Sequence, residues 1–300
     1  MTDDEPVYIL CKDMFCDDRF ELDSVLSYLN KKLDTYPTQD KIQHDLVLIE
    51  EKHKNKIHEF EVEHIEKKMK KYKEYMKKFF ASDMIDRVSI PEVVIDSRYD
   101  GFSYSDGVFY IPSNQHMIFP ILETTVCLHE GIPGHHMMYE LLGKQFLRAS
   151  NRSPSDMLIE GWGFYVERFY KPSLRNQVGY QLSKIIRLVR AIADIRFHHQ
   201  DPKIKFNEQE CLDFFEKHWP LTGSYTEEVE RIKENPGFNV IYVIGEMFIE
   251  VLYLDTKYLL NNDIKLFHSL LFEVFDECKN KCELNRVHKK MLQKVNDYHQ

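Results

Sequence analysis

Across residues 41 to 80 the chain is densely charged, yet Ile42, Leu46, Ile49, Ile57, Phe60, Ile65, Met69, Tyr72, Met76 and Phe79 recur at helical steps. That spacing predicts one long amphipathic helix with a narrow apolar stripe and a lysine-rich end. From Val88 to about Ser113 the pattern changes to β-branched and aromatic residues, VSIPEVVID, FSY and GVFYIPS, divided by YDG and SDG turns. A small sheet is expected there. After Phe119 helical patterning returns and persists, with breaks at Ser153-Pro154, Lys171-Pro172-Ser173, Asp201-Pro202, Thr222-Gly223 and Asn235-Pro236-Gly237. The expected fold is mainly α with a small β-sheet (α+β). It divides into a helical N-terminal extension over 1–87 and a second unit over 88–300, with no Ser/Gly linker to separate them.

The most apolar stretch, FNVIYVIGEMFIEVLYL, is interrupted by Asn239, Gly245, Glu246 and Glu250, so it reads as a buried helix and not as a membrane span. With 40 Lys and Arg against 49 Asp and Glu, a net charge of -9 and a pI near 5.9, a broad electropositive surface for nucleic acid is not expected, although Lys67 to Lys78 makes a local basic patch. The acidic N-terminus MTDDEPVYILCKD lacks a basic region followed by an apolar run, and the cysteines at 11, 16, 127, 211, 278 and 282 form no C-x-x-C pair. These features lead to the expectation of a cytoplasmic protein with reduced thiols and neither a membrane nor a nucleic-acid partner.

The candidate chemistry lies at His129, where the chain reads HEGIPGHH. Two histidines four apart on a helix reach one zinc ion at about 2.0–2.1 Å, the geometry behind the H-E-x-x-H box. Here the second histidine is displaced: His135 is six residues on, which an ideal helix would turn to another face, and His136 is seven on, two turns away. Pro133 has no N–H to give to the helix, and Gly131 and Gly134 tolerate dihedrals that other residues avoid. A bulge or break at this point would bring His135 into the second position, with Glu130 projecting towards a metal-bound water. His136 remains a rival, because the sequence does not fix the phase after a bulge.

A third ligand would come from SPSDMLIEGWGFYVERFY, which has Ser153 as N-cap, Pro154 at the first helical position and Asp156 in the first turn. Glu160 then sits among Ile159 and Trp162, where an unpaired carboxylate is costly. Glu167, two turns later near the same face, is a candidate to orient a ligand histidine, and Trp162 reads as core packing. Further on, Arg190, Asp194 and His198 stand at steps of four, with Arg187 one turn earlier. Such a ladder is either a solvated salt-bridge face or the lining of a cleft. In the second case His198 donates to a developing oxyanion and an arginine receives a substrate carboxylate. Tyr242, after the Asn235-Pro236-Gly237 turn, is another candidate donor.

HEGIPGHH followed by EGWGFYVE resembles the signature of the bacterial family called domain of unknown function 885, whose members typically show HEAIPGHH and EGWALYAE. RLVRAIADIRFHH and NPGFNVIYVIGEM also resemble family blocks, so the likeness covers roughly 95 to 300. Gly131 in place of alanine, and Met137-Met138 in place of Leu-Gln, depart from the pattern without removing a proposed ligand. The family is similar to the gluzincins, the thermolysin-like zinc peptidases. That resemblance implies a gluzincin-like architecture with a long N-terminal helix, 88–300 as the catalytic unit, and one zinc ion per chain held by His129, His135 and Glu160. It further implies Glu130 as general base and a peptide as substrate, strengthens Tyr242 as a donor, and suggests pairing of that peptide with the edge of the GVFYIP strand, while the cleft reading of the ladder adds His198 as a donor and Arg187 and Arg190 as substrate-binding. Two alternatives stand beside it: a non-catalytic scaffold that keeps a metal site, and a metal-dependent hydrolase of a non-peptide amide.

Overall fold

The computed structural model of the chain describes residues 22–53, 62–99, 101–113, 119–143, 154–221, 225–278 and 283–298. The architecture is α-rich. Helices α1 (Leu22–Leu33), α2 (Gln39–His53), α3 (Val62–Met76) and the short α4 (Ser82–Asp86) precede a three-stranded sheet of β1 (Glu92–Ile95), β2 (Ser103–Ser105) and β3 (Val108–Ile111). Then follow α5 (Phe119–Val126), a π-helical turn (Cys127–Gly131), α6 (His135–Leu142), α7 (Pro154–Val166) with a 3-10 turn (Glu167–Phe169), and the long α8 (Leu174–Phe197). The remainder is α9 (Glu208–His218), α10 (Tyr225–Glu234), α11 (Val240–Thr256), α12 (Ile264–Cys278) and α13 (Leu284–Tyr298).

The helical stripe foreseen for 41–80 is present, as Ile42, Ile49, Ile65, Met69, Tyr72 and Met76 are all buried. It lies on two described helices, α2 and α3, and the connection at 54–61, with Ile57 and Phe60, is outside the described residues. So are the Ser153 cap, the Thr222-Gly223 turn and Cys11, Cys16 and Cys282, whereas Pro154 does open α7. No described helix is long and apolar enough to cross a membrane. The run around Glu246 is the buried α11.

In the sheet, the Asp106-Gly107 turn has positive φ at both residues, which suits the tight hairpin joining β2 antiparallel to β3. The strand β1 pairs parallel with β3 on its other side, Val93 opposite Phe109 and Ile95 opposite Ile111. The order β1-β3-β2 corrects one expectation. The GVFYIP strand is central and hydrogen-bonded along both sides, so it has no edge to offer a peptide; the outer strands are β1 and β2.

One apolar cluster runs from Val25 to Val295. Its tightest crossing joins α7 to α11, where a Cβ on Gly245 would lie 1.9 Å from the Met157 carbonyl oxygen and one on Gly161 would lie 2.3 Å from the Gly245 carbonyl carbon. Backbone meets backbone there, which carries Glu160 on α7 and Tyr242 on α11 to the same part of the core. Helix α8 packs on α5 and α11 and also receives α1 and α2, while α3 lies against the π-helical turn and β1.

Candidate metal centre

The interrupted box resolves into a change of helix type. Helix α5 widens into the π-helical turn Cys127–Gly131, whose i→i+5 bonding absorbs an extra residue. The chain then leaves the helix at Ile132, which is extended, passes the cis Ile132–Pro133 bond and re-enters helical structure at His135. At Gly134 an added Cβ would lie 1.8 Å from the His129 carbonyl oxygen, so the doubled-back path admits glycine alone. The Trp162 indole N–H donates to the Pro133 carbonyl at 2.8 Å, so this core tryptophan also ties the turn to α7. His129 and His135 consequently face each other, with ring centroids 4.7 Å apart and planes nearly perpendicular.

Their Nε2 atoms converge on one carboxylate. Glu160 Oε2 is 3.3 Å from His129 Nε2 and 3.5 Å from His135 Nε2. Ligand atoms arranged tetrahedrally around zinc at its usual distances stand ~3.3 Å apart, so the spacing fits a shared divalent cation. Glu130 belongs to the same group, in that donor atoms of His129, Glu130 and His135 all lie within 4.8 Å of one another, but its Oε2 is 3.9 Å from His135 Nε2. Glu160 is thus the carboxylate nearer both rings, and Glu130 stands beside the pair. At 24% side-chain exposure, against 3% for His129, Glu160 marks the open side of the cluster.

His136 points elsewhere. Its Nδ1 is 2.9 Å from the Tyr104 hydroxyl, and its Nε2 is 3.2 Å from the Ser89 carbonyl oxygen. The second histidine of the tandem anchors the sheet to α6, and the first joins the cluster.

Behind His129 the support is dense. Its Nδ1 hydrogen-bonds Glu167 Oε1 at 2.9 Å, which leaves Nε2 facing Glu160. Glu167 also accepts from Ser183 Oγ, which in turn accepts from Arg187 Nη1 at 3.0 Å. A Cβ at Gly163 would come within 2.7 Å of the His129 ring, so that glycine makes room for the imidazole. His135 is less braced: its buried Nδ1 has no hydrogen-bond partner among the described residues.

Of the other expected residues, Tyr242 is at the site, its ring 6.0 Å from that of His129. Burial, with Glu160 and Glu130 nearby, raises its pKa well above the usual value and keeps the hydroxyl a donor. Arg187 reaches both Glu167 and the Tyr242 ring. The upper part of the ladder is engaged outside the cluster. Arg190 is bound two-pronged by Glu228 on α10 at 2.7 and 2.6 Å. His198 Nε2 donates to the Ile232 carbonyl at 3.1 Å. Asp194 accepts from the Gly237 and Asn239 backbone N–H groups, clamping the turn that launches α11. Sequence spacing left the ladder open between an ion-pair face and a cleft lining because a helix face shows which side chains are aligned but not which neighbouring helix covers them.

The electrostatics describe a site short of positive charge. Burial opposes a charged His129, but hydrogen bonds to Glu160 and Glu167 outweigh it and lift the pKa to about 9. Burial also favours a neutral Glu160, yet His135 and His129 hold it well below the usual carboxylate range. Glu130, which lacks so close a partner, is pushed up by burial. Three carboxylates, Glu130, Glu160 and Glu167, thus meet one guanidinium, that of Arg187, and neutral imidazoles leave two negative charges uncompensated. A proton on the rings meets part of that need. A divalent cation at the shared point meets all of it.

The model of a family of bacterial proteins of unknown function, DUF885, matches residues 20–273. The chain belongs to DUF885. The family match reaches back to residue 20, so it takes in the N-terminal helices that the motif-based likeness, starting near 95, left outside. A solved structure described as "The crystal structure of the putative lipoprotein from Colwellia psychrerythraea" matches with a TM-score of 0.69 at 16% identity, over 97% of this chain and 55% of that one. This chain therefore spans about half the length of that structure and shares its fold. No curated protein matches the chain in sequence. Against the DUF885 pattern EGWALYAE, Gly163 replaces an alanine at the position whose Cβ would touch the His129 ring.

Proposed function

We infer that the protein is a zinc-dependent metallopeptidase acting on small peptides. The observation that carries this reading is the convergence of His129 Nε2, His135 Nε2 and Glu160 Oε2 at 3.3 and 3.5 Å, with Glu130 alongside. Two histidines and a downstream glutamate, with a glutamate next to the first histidine, form the gluzincin set, and three protein ligands leave the fourth position that a catalytic zinc needs. A zinc ion held there by His129, His135 and Glu160 would supply Lewis-acid polarisation of the scissile carbonyl and activation of the attacking water. Glu130, whose burial raises its proton affinity, takes the proton from the attacking water and returns it to the leaving amine. Tyr242 stays protonated and donates to the developing oxyanion. An extended peptide would pair with the outer edge of β2, which is joined to the box through the Tyr104–His136 hydrogen bond. Cys127, Cys211 and Cys278 are free and buried, which fits action in the reducing cytoplasm.

The test is Glu130→Gln. It should retain about one equivalent of zinc per chain and lose hydrolysis of a peptide library. Full activity in this variant would end the mechanism, and zinc without turnover in the wild type would favour a non-catalytic metal site.

A further inference from the structure

Helix α8 presents three side chains to two different partners. Lys184 turns to the Phe164 carbonyl and Glu246, both at 2.7 Å, whereas Ser183 and Arg187, one turn apart, turn to Glu167. The hydrogen bonds around Glu167 have a fixed direction. Arg187 Nη1 donates to Ser183 Oγ, the Ser183 hydroxyl donates to Glu167 Oε2, and His129 Nδ1 donates to Glu167 Oε1. The second terminal nitrogen of Arg187 lies 3.8 Å from Glu167 Oε1, and its guanidinium carbon lies 5.2 Å from the Phe164 ring centroid and 5.1 Å from that of Tyr242. Those ring contacts are within cation–π range.

We propose that Arg187 is a positioning residue that acts through Ser183 and Glu167 to fix the orientation of His129, and that it does not bind the substrate carboxylate. The proposal rests on the metallopeptidase reading for its catalytic meaning, but the orientation of His129 is measurable without metal. The guanidinium donates to Ser183 Oγ and so directs the Ser183 proton to Glu167 Oε2. Glu167 in turn holds the Nδ1 side of the His129 ring and leaves Nε2 facing Glu160. Supporting contacts of this kind are worth 10- to 100-fold in metal affinity, on the order of what ligand orientation by an outer carboxylate supplies. A carboxylate-binding arginine would need a free pair of nitrogens facing the open side, whereas Arg187 Nη1 is taken by Ser183 and Nη2 stands within ion-pair reach of Glu167.

The variants are Arg187→Met, Arg187→Lys and Ser183→Ala, each checked for a wild-type circular dichroism spectrum and thermal transition. The first readout is the histidine nitrogen NMR spectrum of the metal-free protein. The wild type should show a protonated, strongly hydrogen-bonded Nδ1 on His129, and Arg187→Met and Ser183→Ala should lose or shift that signal while Arg187→Lys keeps it in part. The second is zinc affinity by competition with a chromogenic chelator, expected to fall roughly 10- to 100-fold in Arg187→Met. With a hydrolysed peptide in hand, kcat should fall and KM should hold. An unchanged His129 signal in folded Arg187→Met overturns the proposal even if the enzyme is a zinc peptidase, as does a rise confined to KM. Absence of zinc binding by the wild type would instead remove the metallopeptidase reading, and the NMR comparison would still decide the role of Arg187.

Discussion

Around Glu246, one fully buried carboxylate meets Lys184, Arg168 and Lys32, with Glu250 sharing the last two. Around Glu160, carboxylates outnumber cations and two imidazoles aim their Nε2 atoms at one oxygen. Both clusters draw on α7 and α11, and α8 supplies a cation to each. The first is neutralised by the chain's own cations, although Glu246 Oε2 makes no hydrogen bond among the described residues, and its charges hold α1, α7, α8 and α11 together. The second keeps an excess of negative charge that the proposed zinc would meet. Buried charge alone therefore does not mark a functional site; an uncompensated excess of one sign, gathered at donor spacing around a common point, does.

The partners in the first cluster respond differently. Burial outweighs Glu246 for Lys184 and lowers its pKa to about 8, whereas Glu246, although buried, is drawn down to about 2 by Lys184, Arg168 and Lys32. The Glu246 direction is the one the geometry fixes, since three cations surround it and Lys184 has a single close carboxylate.

Removing that carboxylate should have the largest effect. Glu246→Gln strands Lys184 in the core and should cost about 3–5 kcal/mol in chemical denaturation, the range for breaking a buried pair from one side. The sign of its pH dependence follows from a folded-state pKa below the ordinary 4.5. The stabilisation is complete above about pH 4.5 and lost as pH falls through about 2. Wild type should show this acid limb, and the variant a shallower one, to which Glu160 still contributes. A wild-type stability in Glu246→Gln would erase the contrast between the clusters.

Next in size is the response to zinc. At a hundredfold excess over its dissociation constant, zinc should stabilise the wild type by about 2.7 kcal/mol. The gain should vanish on chelation and be absent in Glu160→Gln, as read from thermal melts. Smaller again, Gly163→Val places a branched side chain, larger than the alanine of the family pattern, against the His129 ring and should weaken zinc binding by roughly tenfold or more through misorientation of the ligand, with the fold retained. Wild-type affinity in that variant would mean that the ring has room to move.

Much of this arrangement was legible in the sequence because local chemistry dictated it. Pro133 and Gly134 announce that the helix cannot run on, and Pro154 announces where the next begins. Glu160 and Glu167 stand out as carboxylates among apolar neighbours. What stayed hidden depends on which element covers which. Nothing local distinguishes Ser183 from any helix serine, shows that α10 takes up Arg190 and His198, or reveals that a parallel β1 occupies the free side of β3. The choice between His135 and His136 had the same character, since it turns on a backbone path that the histidines themselves do not encode.

The central claim, that one cation is shared by His129, His135 and Glu160, is tested most directly by metal analysis of the purified wild type beside His135→Ala and His136→Ala. The wild type and His136→Ala, whose loss affects the sheet anchor, should carry about one zinc per chain, and His135→Ala none. Zinc retained by His135→Ala and lost from His136→Ala, or no metal in the wild type under any loading condition, would contradict it.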